Sequence, residues 1–308
     1  MKIEDIHYDL QPIPVDEENF DIEKWRLQNP VDYFKFMYMI NISANKNEVF
    51  QLLYKISRLY IPDTLYKYYS FTDDKTLNQQ KLQTLEQQKI FMSDVKFLND
   101  PFDNKAFYYK ADTLIKYERL IPHGGRLIDD FSTFTKVSSL TANSVNSMPM
   151  WAHYANNHSG YCVSYDTKHN TQLSGCTFPV QYTNERIDIT SVMDKQVQYM
   201  INQIEIQGAE GKKEILLDDL SLVFLSSYFC NIKHSSWSYE NEFRCTTGAN
   251  AKGMPYVVAK PKEIYIGLNC SESNIEKLIK IGKTLKIPVY KMFFDELSES
   301  FDLIFREI

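Results

Sequence analysis

The residue types best suited to chemistry lie in the run Trp237-Ser238-Tyr239-Glu240-Asn241-Glu242-Phe243-Arg244. With a period of two, Trp237, Tyr239 and Phe243 share one strand face, and Glu240, Glu242 and Arg244 share the other. Two carboxylates on one face suit chemistry that stabilises a developing cation, or that orients a nucleophile by accepting its proton. The competing explanations are a solvated strand face, or ion pairing of Arg244 with a glutamate on a neighbouring strand.

Three stretches upstream mix aromatic and reactive side chains in the same way. In Leu65-Tyr66-Lys67-Tyr68-Tyr69-Ser70-Phe71, alternation sends Tyr66, Tyr68 and Ser70 one way and Lys67 and Tyr69 the other. Such a strand is either an aromatic edge with a solvated lysine or a cleft wall offering rings and a cation to a planar, anionic ligand. Phe91-Met92-Ser93-Asp94 leads into Phe97-Leu98-Asn99-Asp100-Pro101-Phe102-Asp103. Asn and Asp before Pro build turns, so this is expected to be a structural loop shaping one wall of a site. Its Asp100/Asp103 pair lacks calcium-loop spacing. The third stretch is Ser138-Ser139-Leu140-Thr141 followed by Met150-Trp151-Ala152-His153-Tyr154, with His158, Gly160 and Cys162 behind. His153, His158 and Cys162 have neither a CxxC nor a second histidine pair, so no metal is expected. Cys162 sits in an apolar strand pattern, where cysteine behaves as a small hydrophobe. His153 is either a core residue or part of a site.

The elements that must position these residues are short. Leu65–Phe71, 90–92, Phe134–Thr141, Tyr161–Tyr165, Glu263–Leu268 and Pro288–Phe293 read as strands. Helices are expected from a cap at Asp73 or Asp74 to Gln88, over 107–120, over 150–156, and after a Ser273/Glu276 capping box. Residues 191–206 and 214–232 look like a helical hairpin around Gly208–Gly211, an insert spanning about 190–232. Residues 1–30, with Pro12, Pro14 and Pro30, read as an irregular arm, and Val49 to Tyr60 follow helical spacing that must stop near Ile61-Pro62. The expected organisation is a helical N-terminal extension over 1–61 and an α+β domain of short strands with inserted helices over 62–308. No Gly-rich phosphate loop is present.

Composition narrows the partners. Of 308 residues, 44% are hydrophobic and 14% aromatic, with 21 Tyr and 19 Phe, which marks a folded chain whose aromatic load suits a deep cleft or a β-rich core equally. A net charge of −6 argues against unassisted binding to a nucleic-acid backbone. Five scattered cysteines without a CxxC fit reduced thiols. With no apolar signal run after Met1 and no membrane-spanning stretch, the expectation is a cytoplasmic chain with no membrane partner.

As an ordered set, the four stretches resemble the DUF2971 family, bacterial proteins of undefined function. The order is Leu-Tyr-Lys-Tyr, then Phe-Leu-Asn-Asp-Pro-Phe-Asp, then Met-Trp-Ala-His-Tyr-Ala with His-x-Gly-x-Cys, then Trp-x-Tyr-Glu-x-Glu-Phe-Arg. The resemblance runs from about Leu65 to Phe293, leaving residues 1–60 outside. The family's layout in turn looks like that of ADP-ribosyltransferases, which implies a split sheet and NAD as substrate. On that likeness Lys67 or Tyr68 takes the first-strand position, Ser138-Ser139-Leu140-Thr141 the middle strand and Glu240-Asn241-Glu242 the late one. Glu242 would stabilise the oxocarbenium-like cation formed as nicotinamide leaves, and Glu240 would position the acceptor. Trp151 or Tyr68 would stack on nicotinamide, with Tyr66, Ser139, His153, Tyr154 and Arg244 completing the binding wall. Two departures stand out: the first position is neither Arg nor His, and Leu140 interrupts the serine motif. The acceptor stays open. The alternative is a non-catalytic protein that binds a nucleotide, a small molecule or a partner in the same aromatic cleft.

Overall fold

Side-chain capping starts the first four helices. Asp21, Asp32, Asn45 and Asp74 each accept first-turn backbone N–H groups, of α1 (Ile22–Gln28), α2 (Tyr33–Ile42), α3 (Lys46–Leu59) and α4 (Lys75–Glu86). These caps satisfy donors that a helix start otherwise leaves unpaired. The computed structural model describes residues 20–43, 45–103, 105–127, 135–216, 228, 230–248 and 255–308. Part of the expected irregular arm is therefore helical, as α1, while residues 1–19 lie outside the described residues. Tyr33, Phe36, Phe50 and Leu53 share a buried cluster with Phe107, Leu114, Ile187, Met193 and Ile232, so the N-terminal helices pack onto later parts of the chain.

The first strands are β1 (Thr64–Tyr69), β2 (Lys89–Phe91), β3 (Ser93–Asp94), β4 (Phe107–Tyr108) and β5 (Thr135–Thr141). After α5 (Met148–Tyr154) come β6 (Tyr161–Asp166), α6 (Thr171–Gly175), β7 (Thr177–Pro179), β8 (Gln181–Thr183), β9 (Ile187–Asp188) and α7 (Thr190–Ala209). Next are β10 (Ile232–His234), β11 (Glu242–Gly248), β12 (Tyr256–Val258) and β13 (Glu263–Ile266). The helix α8 (Glu272–Leu285) precedes β14 (Val289–Phe294) and β15 (Leu303–Glu307). Nine strands form one sheet in the order β15-β14-β13-β6-β1-β5-β11-β7, with β3 beside β5. The α+β class expected from the sequence is borne out.

Burial explains the centre of this sheet. Tyr161, Val163 and Tyr165 of β6 enter one core with Ile264, Leu278 and Val289, while Cys162 enters another with Trp151 and Met292. A strand covered on both faces reads as an unbroken apolar run. Gly160, just before β6, lets the turn after α5 press on β1. A Cβ there would lie 2.0 Å from the Tyr69 carbonyl oxygen.

The strand that positions the site is β5. One edge pairs with β11 along its whole length, from Glu242↔Thr141 to Gly248↔Thr135. The other edge is divided: β3 takes Val137 and Lys136, and β1 meets β5 in register at Tyr66↔Thr141. Between these two partners, Ser138, Ser139 and Leu140 face no strand on that side among the described residues.

Some expectations need correction. Residues 107–120 are not an α-helix: β4 is followed by 3₁₀ turns at Ala111–Leu114 and Glu118–His123. Leu114, Tyr117 and Leu120, spaced by three, pack on one cluster, and three is the 3₁₀ period. The first arm of the expected hairpin is α7; the second falls largely outside the described residues, and its end, Ile232, opens β10, which runs parallel to β8. Ser271, not Ser273, precedes α8 as its N-cap, and β14 is followed by a further edge strand, β15. No helix among the described residues is long and apolar enough to cross a membrane.

Candidate functional site

Glu240 and Glu242 do not share a strand. Ser235–Glu240 is a 3₁₀ helix, Asn241 takes the left-handed conformation at φ 45°, and β11 begins at Glu242. Asn tolerates that conformation better than most residues. The period-two face of Trp237, Tyr239 and Phe243 is therefore absent. The turn nevertheless brings both glutamates to Lys233 of β10, whose Nζ lies 2.6 Å from Glu240 Oε2 and 3.2 Å from Glu242 Oε2. Arg244 completes the cluster. Its Nε donates to Glu242 Oε1 at 2.8 Å, and its Nη2 donates to Glu242 Oε2 at 3.1 Å and to Asp103 Oδ1 at 2.7 Å.

These charges are inside the protein. Glu240 is 3% exposed, Glu242 5% and Arg244 0%, so a solvated face is ruled out. Arg244 does not pair with a glutamate of another strand: it reaches its own strand neighbour Glu242 and the loop residue Asp103, while the cross-strand partner of Glu242 is Lys233. Burial pushes the Glu242 carboxyl upward, but the Arg244 and Lys233 charges outweigh it and hold the group at about 2. Glu240 moves the other way: burial and the neighbouring Glu242 charge raise it, against the bonds from Lys233 and Tyr154. Burial likewise raises Asp103 against the pull of Arg244. The pair of glutamates thus splits into a fixed anion and a more easily protonated acid. Tyr154 of α5 donates its hydroxyl to Glu240 Oε1, and Trp237 lies over the Lys233 ammonium at 4.7 Å.

The cluster floors a cleft of about 820 Å³ that opens beside the unpaired stretch of β5. Tyr66, Lys67, Tyr68, Ser138, Ser139, Tyr154, Glu240, Glu242 and Arg244 all line it. Lys67 Nζ donates to the Ser139 carbonyl at 3.0 Å, and burial lowers its pKa to about 8. Lys81 of α4 lines the same cleft and donates to the Ser70 carbonyl at 2.7 Å. Neither lysine has a carboxylate within ion-pair distance among the described residues. The Ser138 hydroxyl is buried and has no hydrogen-bond partner among the described residues.

Two of the expected binding residues lie elsewhere. Trp151 is fully buried, its indole N–H donates to the Val145 carbonyl at 2.7 Å, and it meets Tyr68 edge-on and His158 face-on. It supports the cleft from behind and has no face free for a ligand. His153 is exposed, with the rings of Tyr154 and Tyr239 as neighbours, and does not line the cleft. Cys162 is buried and its thiol is pushed well up by burial, which removes it as a nucleophile. The sequence reading missed Lys233, Lys81 and Tyr182, whose hydroxyl accepts the Glu242 N–H at 2.8 Å. Lys233 carried one weak signal, its position shortly before a Glu-x-Glu; Tyr182 and Lys81 carried none.

The fold and site define an α+β protein with an open sheet and a cleft floored by buried ion pairs. The family model described as a protein of unknown function (DUF2971) matches residues 150–245. That span holds α5, β6 and the whole run from Lys233 to Arg244, so the match covers the middle part of the resemblance expected over about 65–293 and leaves the stretches 65–71 and 91–103 outside it. No curated protein and no solved structure matches the chain.

Proposed function

We propose that the cleft binds NAD and that the chain cleaves its nicotinamide–ribose bond, passing ADP-ribose to an acceptor. The observation that carries this reading is the charge at the floor. Three carboxyls (Asp103, Glu240, Glu242) face two cations (Lys233, Arg244), so with all of them ionised the cluster is net negative. Such a preorganised negative site favours positive charge building at the ribose carbon as the neutral base departs. Glu242, ionised throughout the neutral range, is the fixed charge. Glu240, whose pKa is raised, is the better group to accept the proton of the attacking acceptor.

Other lining residues support the same ligand. Lys67 and Lys81 are two ammonium groups with no carboxylate within ion-pair distance among the described residues, which suits a diphosphate. Tyr66 and Tyr68 supply aromatic surface. A lysine in place of the usual Arg or His offers a point charge and not a two-pronged fork, so weaker orientation of the phosphate is expected.

A second reading, binding without cleavage, draws on a specific fact: both Glu242 oxygens already accept bonds from Arg244 and Lys233. The purified chain incubated with NAD separates the two. Nicotinamide release supports transfer or hydrolysis, saturable binding of ADP-ribose without release supports recognition, and the absence of both release and binding overturns the nucleotide reading.

A further inference from the structure

Two thiols that do not line the cleft face each other. Cys245 of β11 and Cys176, just before β7, have their sulfurs 3.3 Å apart, and both are free. The backbones beside them are already fixed. Cys245 pairs with Thr177 in the β7–β11 ladder, and the Thr246 N–H donates to the Cys176 carbonyl at 2.8 Å. Cys245 is fully buried, whereas Cys176 is partly exposed. The Arg58 guanidinium spans the turn around Cys176 by bonding the carbonyls of Ser174 and Thr177. The Cys245 S–H bond and the Arg58 charge favour the Cys176 thiolate against burial and against the Gln172 carbonyl 2.8 Å from its sulfur, while Cys245 is held as the thiol. An accessible sulfur beside a cation, with a second sulfur behind it, is the arrangement that oxidants select.

We propose that Cys176 and Cys245 form an oxidisable dithiol, with hydrogen peroxide as the oxidant. The Cys176 thiolate attacks a peroxide oxygen, forming an S–O bond and breaking O–O, and the released hydroxide leaves as water after protonation. The Cys245 sulfur then attacks the Cys176 sulfur, forming S–S and breaking S–O, and its proton departs with the hydroxide as a second water. The dithiol loses two electrons and the peroxide gains them. The resulting bridge ties the turn before β7 to β11, the strand that begins at Glu242 and carries Arg244.

The test treats the folded full chain with mild hydrogen peroxide, then denatures it, alkylates every remaining thiol and maps the peptides without reduction. The expected result is a fall from five alkylatable thiols to three, with a Cys176–Cys245 linked peptide that dithiothreitol reverses. In Cys245→Ser, Cys176 should stop at a dimedone-reactive sulfenic acid. In Cys176→Ser, at the more exposed position, no linked peptide should form. Five thiols still alkylatable after peroxide, or oxidation of Cys176 past the sulfenic acid with no linked peptide in the unsubstituted chain, overturns the proposal. NAD chemistry plays no part in this readout, so its failure is separate from failure of the nucleotide reading.

Discussion

Lys233 bonds Glu240 and Glu242 at once, at 2.6 and 3.2 Å, from a strand that neither glutamate belongs to. One ammonium therefore holds the end of the 3₁₀ helix against the start of β11. Removing one partner of a buried ion pair leaves uncompensated charge and costs about 3–5 kcal/mol. Lys233→Met should lose stability on that scale in urea unfolding. Adding Glu240→Gln should recover part of the loss, because it removes one of the stranded charges. A Lys233→Met chain as stable as the parent would show that the cluster does not hold the fold.

Trp151 gives a prediction of the opposite kind. Its indole N–H bond to Val145 and its contacts with Tyr68 and His158 are structural. Trp151→Phe should cost about 1–3 kcal/mol in unfolding while leaving ADP-ribose affinity unchanged. A clear drop in affinity at unchanged stability would place the ring back in the binding wall.

Lys67 predicts a pH dependence. Its pKa falls from 10.5 to about 8 on folding, so between those values the unfolded chain holds the proton that the folded one has lost. Stability from this group therefore rises as pH climbs from about 8 towards 10.5, and a penalty persists below 8. Lys67→Met should abolish that rise. Affinity for ADP-ribose should also fall as pH passes about 8, because the neutral amine no longer attracts phosphate. Chemical denaturation and titration calorimetry across pH 7–10 check both.

Glu242 gives the acid-side counterpart. Its pKa is depressed from 4.5 to about 2, so its stabilisation is present above 4.5 and is lost as pH falls through about 2. Glu240, raised, opposes this with a smaller burden in its protonated form. Glu242→Gln should flatten the loss of stability between pH 4.5 and 2, as read by urea midpoints at stepped pH. An unchanged acid slope would mean that Arg244 and Lys233 do not hold Glu242 ionised.

The sheet strands were legible where a short apolar or aromatic run was closed by turn residues, as for β1, β5 and β6. The failures have local causes. Residues 107–120 carried apolar residues every third position, which fits a 3₁₀ turn as well as a helix. Ser235–Glu240 alternated like a strand, but Asn241 could reverse the chain and moved the strand start to Glu242. The glutamates were visible as candidates because two sat beside an arginine. Lys81 was not, and neither the bond of Asp103 to Arg244 nor that of Lys233 to both glutamates could be read, since these roles come from strands and loops that meet only in three dimensions. Trp151 looked like a ligand platform because type and spacing do not distinguish a ring behind a cleft from one inside it.

The central claim is that the Glu240/Glu242 floor acts on a bound dinucleotide. The most direct measurement is nicotinamide release from NAD by the parent chain and by Glu242→Gln, with ADP-ribose binding followed on both. The expected result is release by the parent, loss of release in Glu242→Gln, and binding retained in each. Release that persists unchanged in Glu242→Gln, or a parent chain that binds ADP-ribose and never releases nicotinamide, contradicts it.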